Sequence, residues 1–232
     1  MVKLFIGTKK YSSWSLRPWS LCVEKGLAFD EVKIPFDAVE GEREFTSEFK
    51  QNAFAIGPTS RVPILHHGNS VIWESLSICQ YISSMLCNDA LWPEAGSMRA
   101  HAFSLATEVQ SEFLTIREEM PFWCVPTVRH QSVVPVRAAK DWLRLERAIS
   151  DALELSGGPF LYGEYSIADA MVLPMMSRAY TYLNMHDSPI ETYYRFSLSR
   201  PAYVRWVAEA SREPEVLPEL ERFSREFRDR RV

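Results

Sequence analysis

The chain has 232 residues, 47% of them hydrophobic and 24% charged, with a formal net charge of −4. That is the make-up of a globular protein long enough to bury a core without covalent staples. The acidic balance argues against a nucleic-acid partner, which needs a concentrated basic face. No apolar run approaches the length of a membrane span, and no membrane association is expected.

Four cysteines, Cys22, Cys79, Cys87 and Cys124, show neither a CxxC pair nor metal-ligand spacing. Cys22, Cys79 and Cys87 sit among apolar residues in helical patterns and act as small hydrophobes, while Cys124 lies in an aromatic stretch without an assigned element; a reducing, cytoplasmic location and no metal are expected. The short apolar start, Met1 to Gly7, runs straight into polar residues and does not read as a signal peptide. The Arg-rich stretch from Arg222 to Arg231 is interleaved with Glu226 and Asp229 and reads as a solvated helix face.

In chain order, Lys3 to Gly7 is predicted as a strand. A helix pattern starts at Ser15, with Leu16, Trp19, Cys22 and Val23 on one face, Pro18 in its first turn and Gly26 at its end. Glu31 to Phe36 is a second strand, and Glu42 to Asn52 a polar, weakly periodic helix or irregular segment. Val62 to His66 and Ser70 to Glu74 form a hairpin around His67-Gly68-Asn69. Ser75 to Cys87 is a helix with Ile78, Cys79, Ile82, Met85 and Leu86 inward. This βαβ-ββα unit occupies residues 1–87, and the Asn, Asp, Pro and Gly of 88–96 mark a linker.

Residues 97–232 read as all helical. Met98, Ala102, Leu105, Val109, Phe113 and Ile116 predict one long amphipathic helix; Trp142, Leu145, Ile149, Ala152 and Leu153 predict another. Ile167 to Leu183 is apolar nearly all round, as at the centre of a bundle. Further helices follow, one of them carrying Leu217, Leu220, Phe223 and Phe227.

Three constellations carry chemistry in the first unit. Tyr11-Ser12-Ser13-Trp14-Ser15 lies between a strand and a helix, where unpaired N–H groups and the helix dipole favour an anion. A serine there caps the helix or donates a hydrogen bond to a bound thiolate. Val62-Pro63 reads either as an edge strand beginning with Pro or as a bend that frees a backbone edge on which an extended peptide ligand could add as a strand. Glu74-Ser75 joins a carboxylate to a helix N-terminus, a pair suited to the ammonium and carboxylate of an amino-acid head. In the helical part, Ser166 and Asp169 have the spacing of a capping box at the start of the central helix.

In order and approximate spacing these motifs resemble the cytosolic glutathione transferase family, and the likeness spans essentially the whole chain. The resemblance implies an α/β thioredoxin-like N-terminal domain joined to an all-α helical bundle. It implies a transferase of the serine type, similar to zeta or theta members, that conjugates glutathione to small electrophiles in detoxification. Glutathione would be the co-substrate and the protein a homodimer.

On that reading Ser12 or Ser13 faces the sulfur. Placement before an aromatic selects Ser13, whereas the zeta-like Ser-Ser-x-Ser pattern selects Ser12. Tyr11 offers a further hydroxyl. Val62 would pair with the cysteinyl backbone, Pro63 would be cis, and Glu74 and Ser75 would hold the γ-glutamyl head. Lys50 or Arg61 would face the glycyl carboxylate, and Arg17 points into the site or into helix packing. Trp14, Phe113, Phe122 and Trp123 would wall an apolar electrophile pocket. His66 and His67 face opposite sides of their strand, which argues against a paired role. Other activities on the same fold are a zeta-type glutathione-dependent isomerase, a non-enzymatic adaptor like stringent starvation protein A, and a ligandin. The intact serine, Val-Pro and Glu-Ser set favours the enzyme.

Overall fold

The computed structural model describes residues 1–37, 45–94, 96–126 and 132–227, with nothing said of the Ser224 side chain. Residues 42–44 of the expected second helix and 228–231 of the Arg-rich stretch lie outside these, as does Ala95 in the expected linker.

The N-terminal part is a four-stranded mixed sheet in the order β2-β1-β3-β4. Strand β1 (Val2–Gly7) runs parallel to β2 (Asp30–Ile34) and antiparallel to β3 (Ile64–His67), which pairs with β4 (Ser70–Trp73) as a hairpin. Leu4 and Ile6 alternate onto one fully buried face of β1. The last position of β1 is a glycine, Gly7, where a Cβ would lie 2.2 Å from the Phe36 ring. Strand β3 starts at Ile64, not at Val62, since Pro63 has no N–H for the ladder.

Helices α1 (Ser13–Glu24), α2 (Ser47–Ile56) and α3 (Ser75–Leu86) complete this part. Helix α1 begins two residues earlier than its apolar periodicity indicates, so Pro18 lies beyond the first turn. Met85, expected to face inward, is 61% exposed.

Seven α-helices follow among the described residues: α4 (Ser97–Ser111), α5 (Leu114–Glu119), α6 (Ala139–Ser156), α7 (Ile167–Tyr182), α8 (Glu191–Leu198), α9 (Pro201–Ala210) and α10 (Pro218–Arg225). The expected long helix through Phe113 is two helices, α4 and α5. Phe113 adopts a left-handed backbone, φ 62°, that ends one helix and starts the next. Helix α7 is buried on every side and packs against α1, α3, α4 and α8.

Asp169 anchors the start of α7. Its carboxylate accepts hydrogen bonds from the Ser166 N–H (3.0 Å), the Ser166 hydroxyl (2.9 Å), the Leu161 N–H (3.0 Å) and the Tyr193 hydroxyl (3.2 Å). The expected capping box is present, and it also ties α7 to α8.

Two ion-paired sets are among the contacts that fix the sheet part on the helices. Glu24 accepts from Arg200 and from the Ala202 N–H at the start of α9. Lys9 is almost fully buried between Glu31 and Glu209 and lies over the Trp19 ring, while its carbonyl accepts from the Trp206 indole N–H. No helix among the described residues is long and apolar enough to cross a membrane.

Candidate active site

A cavity of about 910 Å³ opens between the sheet part and the helices. It collects Ser12, Ser13 and Trp14 from α1, Val62 and Pro63 from the approach to β3, and Glu74 and Ser75 from the β4–α3 junction. Lys50 and Arg61 lie on its outer rim, and Phe122 on its helical wall. The three sequence motifs, far apart in the chain, therefore meet at one place.

Phe113 and Trp123 are not brought there. Phe113 joins the core of the helical part at the α4–α5 break, and Trp123 packs into a separate cluster with Tyr11, Phe36, Phe49 and Leu217.

The two serines differ in what their hydroxyls already do. Ser12 is the N-cap of α1: its Oγ accepts from the Ser15 N–H and donates to the Ser15 Oγ at 2.8 Å. The Ser15 Oγ in turn accepts from the Gly7 N–H at 3.1 Å. The Ser12 hydroxyl is thus spent on fastening helix to strand. Ser13 is the first residue of the helix, and among the described residues its Oγ makes one long contact, accepting from Arg178 at 3.5 Å. Its own proton is left to donate into the cavity.

Tyr11 also lines the cavity, but its hydroxyl donates to Glu221 at 2.5 Å and accepts from the Leu217 N–H at 3.3 Å. Burial, followed by the bond to the Glu221 carboxylate, pushes its ionisation far above the ordinary tyrosine range. Tyr11 therefore pins the C-terminal helix rather than serving a thiol. Tyr11→Phe is expected to leave any thiol chemistry within about threefold while lowering stability by about 1 kcal/mol, as read from a denaturant midpoint.

At the other end, Val62–Pro63 is cis and Val62 lies outside the β1–β3 register. Glu74 has φ 68°, a backbone region costly for a side chain other than glycine and typical of sites that hold a ligand. Gln110, on α4, donates to the Glu74 carboxylate at 3.2 Å and accepts from the Ser75 hydroxyl at 3.0 Å. Behind them lies Arg17, fully buried, donating to Ser75 (3.1 Å), Gln110 (2.8 Å) and the Val109 carbonyl. Arg17 thus braces the polar groups of the site from within the helix packing.

Two further charged cavity residues were not singled out from sequence: Arg117 of α5 and Arg178 of α7. Trp14, expected as an apolar wall, lies between two guanidinium groups, Arg17 at 4.2 Å and Arg117 at 4.7 Å from its ring centre. Arg178 lies over Phe122. Arg17 Nε, Arg117 Nη1 and Arg178 Nε have no hydrogen-bond partner among the described residues. A buried donor left unmade costs about 1–3 kcal/mol. Burial, then mutual repulsion with Arg117, pushes Arg178 down to about 9. Burial alone takes Arg117 to about 10, so both remain cationic at neutral pH.

His66 and His67 point apart, His66 to the Ile56 carbonyl and His67 to the Tyr81 hydroxyl. Cys22, Cys79 and Cys124 are buried, and burial pushes all three thiols up, Cys22 to about 12. None of these three lines the cavity.

Residues 11–85 match the family model of the glutathione S-transferase N-terminal domain. The whole chain is similar to glutathione S-transferase L1 of Arabidopsis thaliana, 25% identical over 90% of this chain and 80% of that protein. The N-terminal part belongs to the glutathione S-transferase N-terminal domain family. Other relatives of the family cover less: the LigF protein of a Sphingobium strain is 29% identical over 49% of this chain and 39% of its own length. A Burkholderia glutathione transferase homologue solved with bound glutathione superposes with a TM-score of 0.64 at 20% identity, covering 91% of this chain and 98% of that one. The Populus trichocarpa transferase F2 gives 0.66 at 17% identity over 92% of this chain and all of its own. These likenesses show the fold: a thioredoxin-like domain followed by an all-helical one.

Proposed function

We propose that the protein is a glutathione transferase in which the Ser13 hydroxyl stabilises the glutathione thiolate. The observation that carries this reading is the division of labour in the serine pair. Ser12 is consumed by the helix cap, while Ser13 faces the cavity with its proton uncommitted. A free thiol titrates near roughly 8.5, so a donor aimed at the sulfur raises the thiolate fraction at neutral pH. The N-terminus of α1 adds its dipole in the same sense.

The tripeptide would lie along the motif line. Its γ-glutamyl ammonium meets Glu74, and its carboxylate the α3 N-terminus at Ser75. The cysteinyl backbone runs antiparallel to Val62, and the glycyl carboxylate faces Lys50 or Arg61. With the sulfur at Ser13, the thiol proton leaves to solvent. The thiolate attacks an electrophilic carbon, a C–S bond forms, and the displaced group departs with its electron pair. Ser13 keeps its own proton throughout. Holding both reactants in one cleft supplies the orientation on which the rate depends.

Passing the protein over immobilised glutathione and then assaying conjugation to a chlorinated nitroarene tests this directly. Retention with turnover is expected. A folded protein that neither binds the resin nor turns over would leave the non-enzymatic adaptor as the better account.

A further inference from the structure

Helix α7 is apolar and buried on every side, yet it carries an arginine at its centre. Arg178 is only 4% exposed, and it reaches the cavity next to Ser13. Among the described residues no carboxylate pairs with it. Its Nη1 has a long contact with the Pro174 carbonyl of its own helix at 3.4 Å, its Nη2 touches Ser13 at 3.5 Å, and its Nε has no partner among those residues. Arg117 approaches from α5, bonded among the described residues to the Val109 and Glu112 carbonyls, with Nη1 unpartnered among them.

A buried guanidinium without a carboxylate is a costly feature that a fold keeps when something else meets it. Among the described residues, four cationic side chains line the cavity, Lys50, Arg61, Arg117 and Arg178, against one acid, Glu74. Glutathione as its thiolate carries two carboxylates, one ammonium and the sulfur anion. The motif line already assigns its carboxylates to the α3 N-terminus and to the Lys50–Arg61 rim. Arg117 and Arg178 stand on the opposite, helical wall, each against an aromatic face, Trp14 and Phe122. Guanidinium groups with free N–H edges are built to take a carboxylate in a forked geometry, and the flanking rings suit a flat, conjugated body.

We infer that the second substrate is a flat electrophile bearing a carboxylate, which Arg178 and Arg117 receive while its conjugated body lies between Trp14 and Phe122. The inference rests on the glutathione reading for its orientation, and it replaces the purely apolar pocket expected from sequence.

The test uses unreactive probes, so that binding is read separately from turnover. 4-Nitrobenzoate and the neutral 4-nitrobenzamide are titrated calorimetrically into the protein, with and without saturating glutathione. The benzoate is expected to bind at least tenfold more tightly than the amide. Arg178→Gln and, independently, the more exposed Arg117→Gln should each reduce that preference to about threefold or less, with amide binding unchanged. Arg178→Lys should keep part of it. Equal binding of the two probes to the wild-type protein would overturn the inference, as would a preference that survives in folded Arg117→Gln and Arg178→Gln. If glutathione itself does not bind, the functional reading fails, and the anion preference is still read on the protein alone.

Discussion

Replacing Ser13 by alanine is expected to lower kcat/KM for glutathione conjugation about 100-fold, the scale seen when one donor to a developing anion is removed. Glutathione affinity should change by less than about threefold, because the γ-glutamyl and cysteinyl contacts lie elsewhere. Ser12→Ala should do the reverse. It removes the bond to Ser15 that joins α1 to Gly7, so stability should fall by about 1 kcal/mol while turnover is largely kept. The contrast between neighbours makes the assignment sharp. A Ser12 variant that loses activity while remaining folded, beside an active Ser13 variant, would exchange the two roles.

The second large effect is structural. Asp169→Ala strands the Ser166 N–H and hydroxyl, the Leu161 N–H and the Tyr193 hydroxyl in a buried place at once. Each stranded group carries a desolvation cost, and together they should remove at least about 3 kcal/mol, a large part of the usual stability of a domain. Urea unfolding followed by tryptophan fluorescence would read the loss. Asp169→Asn keeps one acceptor oxygen and should fall between alanine and wild type. A loss under about 1 kcal/mol for alanine would show that the hub is dispensable.

The order of strands and helices along the chain, the central helix and the three site motifs were legible because each has a local signature. A strand next to a Ser-rich helix start, a proline before a strand and a Ser-x-x-Asp cap all lie within a few residues. What escaped reading depends on the fold. Phe113 breaks the α4–α5 helix with a left-handed backbone that no glycine or proline announces. The fate of the Tyr11 hydroxyl depends on Glu221, which lies near the far end of the chain. Met85 follows helical periodicity but emerges on an exposed face.

Arg178 is the instructive omission. Its signal was present, a single arginine within an otherwise apolar, all-round buried helix, and a buried charge is more informative than any exposed one. Its importance appears only when α7 is seen to pack against α1, which sets the guanidinium beside Ser13. Gln110 and Arg117 are hidden differently: they are ordinary polar residues on α4 and α5 until packing turns them toward Glu74, Ser75 and Trp14.

The state of the glutathione sulfur in the bound complex bears most directly on the role given to Ser13. Ultraviolet thiolate absorbance of the protein–glutathione complex, titrated against pH, should give a thiol pKa at least one unit below the roughly 8.5 of a free thiol. In Ser13→Ala the bound thiol should return toward that free value, and in Ser12→Ala it should remain depressed. An undepressed thiol in the wild-type complex, or one equally depressed in the folded Ser13 variant, would contradict the account.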